Sequence, residues 1–146
     1  METQVLEPFK LAYVRLVGPY GQGIPEAIDK IHKWAATKGL RDIKRVHIFH
    51  DDPDVTPPEE CRADIGVVVP CNVKASESIQ LQQLPGGKYI TARKNTSSVP
   101  QIIEIWDNLI EKMITSGDEM DDRPCFELYH SDQDETVDVS VFISVK

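Results

Sequence analysis

Apolar positions along the chain fall into two rhythms. From Phe9 to Val17 aromatic, β-branched and long aliphatic side chains crowd together, which suits a strand. Phe9, Leu11, Tyr13 and Val17 fall on one face of it and Ala12, Val14 and Leu16 on the other, so it is covered on both sides or lines a cavity on one. Gly18-Pro19-Tyr20-Gly21-Gln22-Gly23 breaks the run as a loop. The spacing then turns helical at Ile24, Ile28, Ile31 and Ala35, with Pro25 in the first turn and Gly39 as the stop. Residues 46–49 and 65–69 read as two more strands, separated by a polar link that holds Pro53, Pro57 and Pro58.

The same order then returns. Residues 79–84 are extended, Pro85-Gly86-Gly87 interrupts them as a bulge, and 88–94 continue the extended run. Ser97 and Ser98 offer a cap and Pro100 a first turn. Ile102, Ile103, Trp106, Leu109, Ile110, Met113 and Ile114 form a broad apolar helical face that Gly117 ends. Residues 125–130 and 137–145 read as strands. Residues 1–8 are a loose tail or a short extra strand, and 111–122 read as mobile. In the last strand Val137, Val139, Val141, Ile143 and Val145 alternate strictly and must be core. The opposite face carries Asp138, Ser140, Phe142 and Ser144, and a lone aromatic among small polar residues suits a pocket wall.

The two halves also echo each other in letters. Tyr-Val-Arg-Leu-Val at 13–17 returns as Tyr-Ile-Thr-Ala-Arg at 89–93, and Pro-Glu-Ala-Ile at 25–28 as Pro-Gln-Ile-Ile at 100–103. Val-His-Ile-Phe-His-Asp-Asp at 46–52 is answered by Phe-Glu-Leu-Tyr-His-Ser-Asp at 126–132, and Asp-Ile-Gly-Val-Val-Val at 64–69 by Asp-Val-Ser-Val-Phe-Ile at 138–143. Four blocks in one order indicate one supersecondary unit used twice, over about 8–70 and 78–146. Each half alone has too small a core, so residues 1–146 are expected to fold as a single domain.

Charge narrows the function classes. A net charge of −8 lacks the basic stripe that nucleic-acid binding demands. The densest charge run, Asp118-Glu119-Met120-Asp121-Asp122, is acidic and reads as a solvated loop or as a surface for a basic partner. Cys61, Cys71 and Cys125 are odd in number and lack metal spacing, which fits a reducing cytoplasm and no metal site. No apolar run reaches a membrane span and no leader precedes the first strand. His47 and His50, three apart on a strand, point to opposite faces and cannot share a metal.

Glu127 is the residue that most invites chemistry. It stands between Phe126 and Leu128 in an apolar strand, where a carboxylate costs free energy unless it is paired or wet. In the solvated reading it lies on an edge. In the functional reading it is the counter-charge for a cationic ligand, with Tyr129, Phe142 or Trp106 as the aromatic wall.

The run from His50 through Arg62 and Asp64 to Pro70 resembles the signature of the GyrI-like small-molecule-binding domains. So does the helix ending near Ser116-Gly117, followed by Arg-Pro-Cys-Phe-Glu-Leu-Tyr at 123–129. The resemblance covers roughly 8–146. It implies an α+β fold: a tandem β-α-β-β (SHS2-like) repeat with pseudo-twofold symmetry, an antiparallel sheet, two main helices and a central cleft. Such domains stand alone in SbmC-type DNA gyrase inhibitory proteins and form the effector-binding halves of regulators such as Rob and BmrR. Carried onto this chain, the resemblance makes Glu127 the acid that attracts lipophilic cations and Trp106 its aromatic neighbour. Strand alternation adds Tyr13, Phe49, Tyr129 and Phe142 as ligand-binding candidates. The first strand begins at about Phe9, leaving no room for a helix-turn-helix module, so direct DNA binding is not expected. The leading expectation is a cofactor-free binding module that sequesters or senses lipophilic, cationic or amphipathic compounds. One alternative is a gyrase modulator acting by protein contact. Another is a hydrolase of cyclopropane-bearing electrophiles, with Glu127 as base and Glu104 as a second carboxylate.

Overall fold

The computed structural model describes residues 1–41, 43–76, 78–131 and 135–146; Asp132, the last residue of the echoed 126–132 block, lies outside them. Its elements are β1 (Glu2–Leu6), β2 (Phe9–Val17), α1 (Ile24–Thr37), β3 (Arg45–Phe49), β4 (Arg62–Val69), β5 (Gln80–Leu84), β6 (Gly87–Thr96), α2 (Val99–Ser116), β7 (Cys125–Ser131) and β8 (Val137–Ser144). The fold class is α+β with antiparallel sheet and two helices, as the pattern predicts. The chain divides into two compact units, Phe9–Leu84 on the one hand and Met1–Pro8 with Pro85–Lys146 on the other.

In the Phe9–Leu84 unit the strands run in the order β3-β4-β2-β5, each pair antiparallel. Helix α1 packs on β2 and β4, burying Ala12, Val67 and Val69 against Ile31, Trp34 and Ala35. The helix sits slightly rotated from the expected face: Ala27 and Trp34 are buried, whereas Ile24 and Ile28 are only half-buried. Small Ala27 lets the helix backbone approach the sheet, and the larger isoleucines flank that contact. Gly66 lies opposite Tyr13, where an added Cβ would fall 2.3 Å from the Ala12 carbonyl oxygen. Only glycine permits that approach of β2 to β4.

The other unit repeats this plan, with β7-β8-β6-β1 in antiparallel order and α2 packed on β6 and β8. Val139, Val141, Ile143 and Val145 are wholly buried against Ile105, Leu109 and Met113, so the strict alternation does mark core. Residues 1–8 supply a strand after all, β1, hydrogen-bonded to β6. The stretch 111–122, expected to be loose, is held: α2 continues to Ser116, Gly117 closes it in the left-handed conformation, and Met120 bridges to Val145. Arg123 fastens the same region by donating to the carbonyls of Gly86, Lys88 and Val145 while its guanidinium lies 4.7 Å from the Tyr89 ring centroid.

The echoed blocks occupy matching places: β2 and β6, α1 and α2, β3 and β7, β4 and β8. Each unit, however, takes its edge strand from outside the echoed stretch that builds it. β5, which precedes β6 in the chain, pairs with β2, and β1, which precedes β2, pairs with β6. Sequence periodicity finds strands but not their partners, which is why 79–84 read as part of the second half.

Candidate functional site

Alternation along β7 turns Cys125, Glu127 and Tyr129 toward α2, and Phe126 and Leu128 away from it. Tyr129 joins the core with Ile105, Leu109 and Met113. Glu127 is 5% exposed, so the edge-strand reading fails and the carboxylate must be satisfied internally. Trp106, on the α2 turn above, donates its indole Nε1–H to Glu127 Oε2 at 2.7 Å. The Tyr129 hydroxyl donates to Oε1 at 2.6 Å. Both donors are neutral side chains. The short distances are those of charge-assisted bonds. Trp106 itself is only half-buried. An indole whose N–H leans on a carboxylate presents a more negative ring face, the better platform for a cation.

Glu127, Trp106 and Tyr129 are therefore brought together. Phe142 is not among them. It pairs with Phe126 across β7 and β8, on the face of the sheet opposite Glu127. There it stacks on Phe126, centroids 4.9 Å apart, and meets Tyr89 edge-on at 6.1 Å. The lone aromatic of the sequence reading is one of three, gathered by neighbouring strands. Tyr13 and Phe49 belong to the Phe9–Leu84 unit and lie on opposite faces of its sheet, because Tyr13 and Val46 both flank Gly66 and Phe49 is three residues from Val46. Arg15 sits 5.6 Å from the Tyr13 ring, and Phe49 meets Tyr20 edge-on at 5.1 Å. Glu104 is exposed on α2 and makes no second carboxylate beside Glu127.

A second polar cluster escaped the sequence reading. Asp64, wholly buried in β4, accepts two bonds from Arg15, one from His50 Nε2 at 2.7 Å and one from Gln82 Nε2 at 2.9 Å. Burial works to raise its carboxyl, but the Arg15, His50 and Gln82 bonds outweigh burial and hold it far below the usual carboxylate range. His47, on the other face, is buried and accepts the Arg45 Nε–H at 3.1 Å. Burial, and then the Arg45 charge, push it down to about 3, so the ring is neutral. Asp51 closes the proline-rich link by taking both Nε and Nη2 of Arg62 at 3.0 Å. In the strand pattern the signal for the Arg15–Asp64 pair was a charged residue inside an otherwise apolar strand, while His50, Arg62 and Asp64 stood out only through the run that carries the family resemblance.

With this geometry in hand, similarity to known proteins adds a frame. The GyrI-like small molecule binding domain family matches residues 1–146. The SPbeta prophage-derived protein YosT of Bacillus subtilis (strain 168), whose name places it among transcriptional regulators, is 33% identical over 128 residues, 86% of this chain and 85% of its own length. The DNA gyrase inhibitor of Escherichia coli (strain K12) is 28% identical over 151 residues, covering 99% of this chain and 96% of that protein. Among solved structures, the EcmrR C-terminal domain superposes with a TM-score of 0.79 at 13% identity, covering 99% of this chain and 96% of that one. SAV2435 bound to tetraphenylphosphonium superposes with a TM-score of 0.66 at 14% identity, covering 99% and 93%. At such identities the structures speak for the fold alone. Among the described residues no helix is long and apolar enough to cross a membrane.

Proposed function

Because this chain belongs to the GyrI-like family of small-molecule-binding domains, we propose that Trp106, backed by the Glu127 carboxylate, is the surface on which it takes a lipophilic cation. One observation carries this reading: a buried carboxylate held by an indole N–H at 2.7 Å and a phenol at 2.6 Å, with the indole itself only half-buried. A soft, weakly hydrated cation over that ring gains about 0.5–2 kcal/mol from the quadrupole. A cation with a strong hydration shell gives up more water for the same gain, so lipophilic cations are favoured. The tetraphenylphosphonium bound to SAV2435, a protein of the same fold, is a compound of this kind. The protein then acts as a module that sequesters such compounds or reports their presence to a partner.

Titration calorimetry with tetraphenylphosphonium is the test. Glu127→Gln, which keeps the shape and can still accept from Trp106, should weaken binding at least tenfold with an unchanged circular dichroism spectrum. Unchanged affinity removes Glu127 from recognition.

A second reading, modulation of DNA gyrase by protein contact, is supported by 28% identity over 99% of this chain to a protein named as a gyrase inhibitor. Purified protein added in excess to a supercoiling assay tests it. Full supercoiling with no co-purification of gyrase removes it.

A further inference from the structure

The Phe9–Leu84 unit holds a buried donor that nothing accepts. Trp34 stands in the last turn of α1 and is 9% exposed, and its indole Nε1–H meets no acceptor among the described residues. A buried donor left without an acceptor is costly, and an acceptor brought to it removes the cost. A lone water answers poorly, because Ile31, Ala35, Val69 and Ile79, packed with the ring, offer it no polar side chain as a second partner. A half-buried cation lies on the same side of the sheet. Alternation along β2 places Lys10 on the face where Ala12 and Val14 meet α1, opposite Val69 in the register. Its ammonium donates to the carbonyls of Cys71 at 2.9 Å and Val73 at 2.7 Å, and among the described residues no carboxylate pairs with it. The carbonyls take two of its three protons and leave its charge uncancelled. Val73 joins the two donors, since its side chain packs against the cluster that holds Trp34. The stretches 38–44 and 70–78 close this end of the unit. They carry Lys38, Arg41, Lys44 and Lys74 against Asp42 and Glu77, a basic excess in a chain of net charge −8. Lys38 lies 6.0 Å from the Trp34 ring centroid.

We infer that this end of the Phe9–Leu84 unit binds a small apolar carboxylate. Its oxygens accept the Trp34 Nε1–H and pair with the Lys10 ammonium. Its apolar body lies on Leu40, Ile43, Val73 and Leu81, half-buried side chains that pack around Trp34 and keep one side to water. An alkyl cation offers neither an acceptor nor a counter-charge, and meets Lys38 with like charge. An inorganic anion brings the charge without the apolar body. The site lies in a different unit from Trp106, and it does not rest on the cation reading.

The experiment is proton–nitrogen correlation NMR of the full chain with octanoate, held below its micelle concentration. Trp34 and Trp106 are the two tryptophans, so each gives one indole resonance, and Trp34→Phe tells them apart. Octanoate should move the Trp34 indole proton downfield and leave that of Trp106 in place. Octyltrimethylammonium should leave the Trp34 resonance unmoved. In calorimetry, Lys10→Gln, which can still donate to a loop carbonyl, should weaken octanoate binding at least tenfold, and Trp34→Phe several-fold. Lys33→Gln, at an exposed position on α1, should leave it intact. Full burial of a methylene is worth about fourfold in affinity, so a half-covered chain gains about twofold per carbon and acetate should bind about sixtyfold more weakly. The dispersion of each variant's spectrum reports whether it is folded. A Trp34 resonance unmoved by millimolar octanoate, or a shift confined to Trp106, would overturn the inference. So would full affinity in either folded variant, acetate binding as tightly as octanoate, or the octyl cation shifting Trp34 as far.

Discussion

Arg15 and Asp64 stand directly opposite each other in the β2–β4 register, and the guanidinium closes on the carboxylate with two bonds, Nε to Oδ1 at 2.7 Å and Nη2 to Oδ2 at 2.9 Å. Asp64 is wholly buried while the Arg15 side chain is 37% exposed, so the arginine brings the charge and the sheet excludes water from its partner. Removing the arginine leaves a buried carboxylate with only His50 and Gln82. Arg15→Leu should cost about 3 kcal/mol in urea unfolding, the low end for breaking a buried pair.

The same cluster sets the acid limit of the fold. Because the folded Asp64 carboxyl lies below its unfolded value, its stabilisation is complete above about pH 4 and is lost as pH falls toward the folded value. Melting temperatures taken from pH 5 to pH 2 should drop steeply, and Asp64→Asn should flatten the drop from a lower start. An equal slope in the variant would count against this assignment.

His47 acts in a separate window. Its folded value of about 3 lies below the ordinary imidazole value of about 6.5, so between these limits the unfolded chain binds a proton that the folded chain refuses. Stability should decline from pH 7 down to pH 4, before Asp64 begins to matter. His47→Gln, which still offers an acceptor to Arg45, should remove most of that slope in thermal melts.

Tyr129→Phe deletes a bond that orients Glu127. Bonds to charged groups are worth about 1.5–3 kcal/mol, so chemical denaturation should show a loss of about 2 kcal/mol. Tetraphenylphosphonium affinity should fall by several-fold, less than in Glu127→Gln, because Trp106 still holds Oε2.

Phe142 belongs to packing, with Phe126 stacked on it and Tyr89 against its edge. Phe142→Ala should cost about 3–5 kcal/mol in unfolding titrations. Calorimetry on the folded protein should find cation affinity unchanged, since the side chain lies across the sheet from Glu127.

These residues also mark where reading letters stops. β2 was legible to its ends, because nine successive residues of strand character are bounded by Glu7-Pro8 and a glycine loop. The inner face of β8 was legible because alternation fixes which side chains share a face. Glu127 announced itself as a carboxylate in an apolar strand. What alternation cannot supply is a partner. Arg15–Asp64, Phe126–Phe142 and Trp106–Glu127 each join residues far apart in sequence, through a register or a helix placement that only packing decides. The face of α2 misled for a related reason. Its apolar sector is wider than the surface the sheet can cover, so Ile103 and Ile114 read as core and lie outside, while Ile105 was passed over and is buried.

The traded edge strands set a schedule for the nascent chain. Phe9–Leu84 contains β2, β3, β4 and β5 and all their mutual pairings, so that unit can close as soon as Leu84 is clear of the ribosome. β1 emerges before any of it, yet Leu6 pairs with Gly87 and Glu2 with Thr91. β1, synthesised ahead of that unit, is thus among the last strands to find its place, held open while a whole unit forms behind it. Non-local pairing of this kind slows folding and exposes an unpaired strand during the delay. β1 carries little that would make that wait hazardous: apart from Val5 and Leu6 it offers only Glu2, Thr3 and Gln4, too polar a run to seed aggregation.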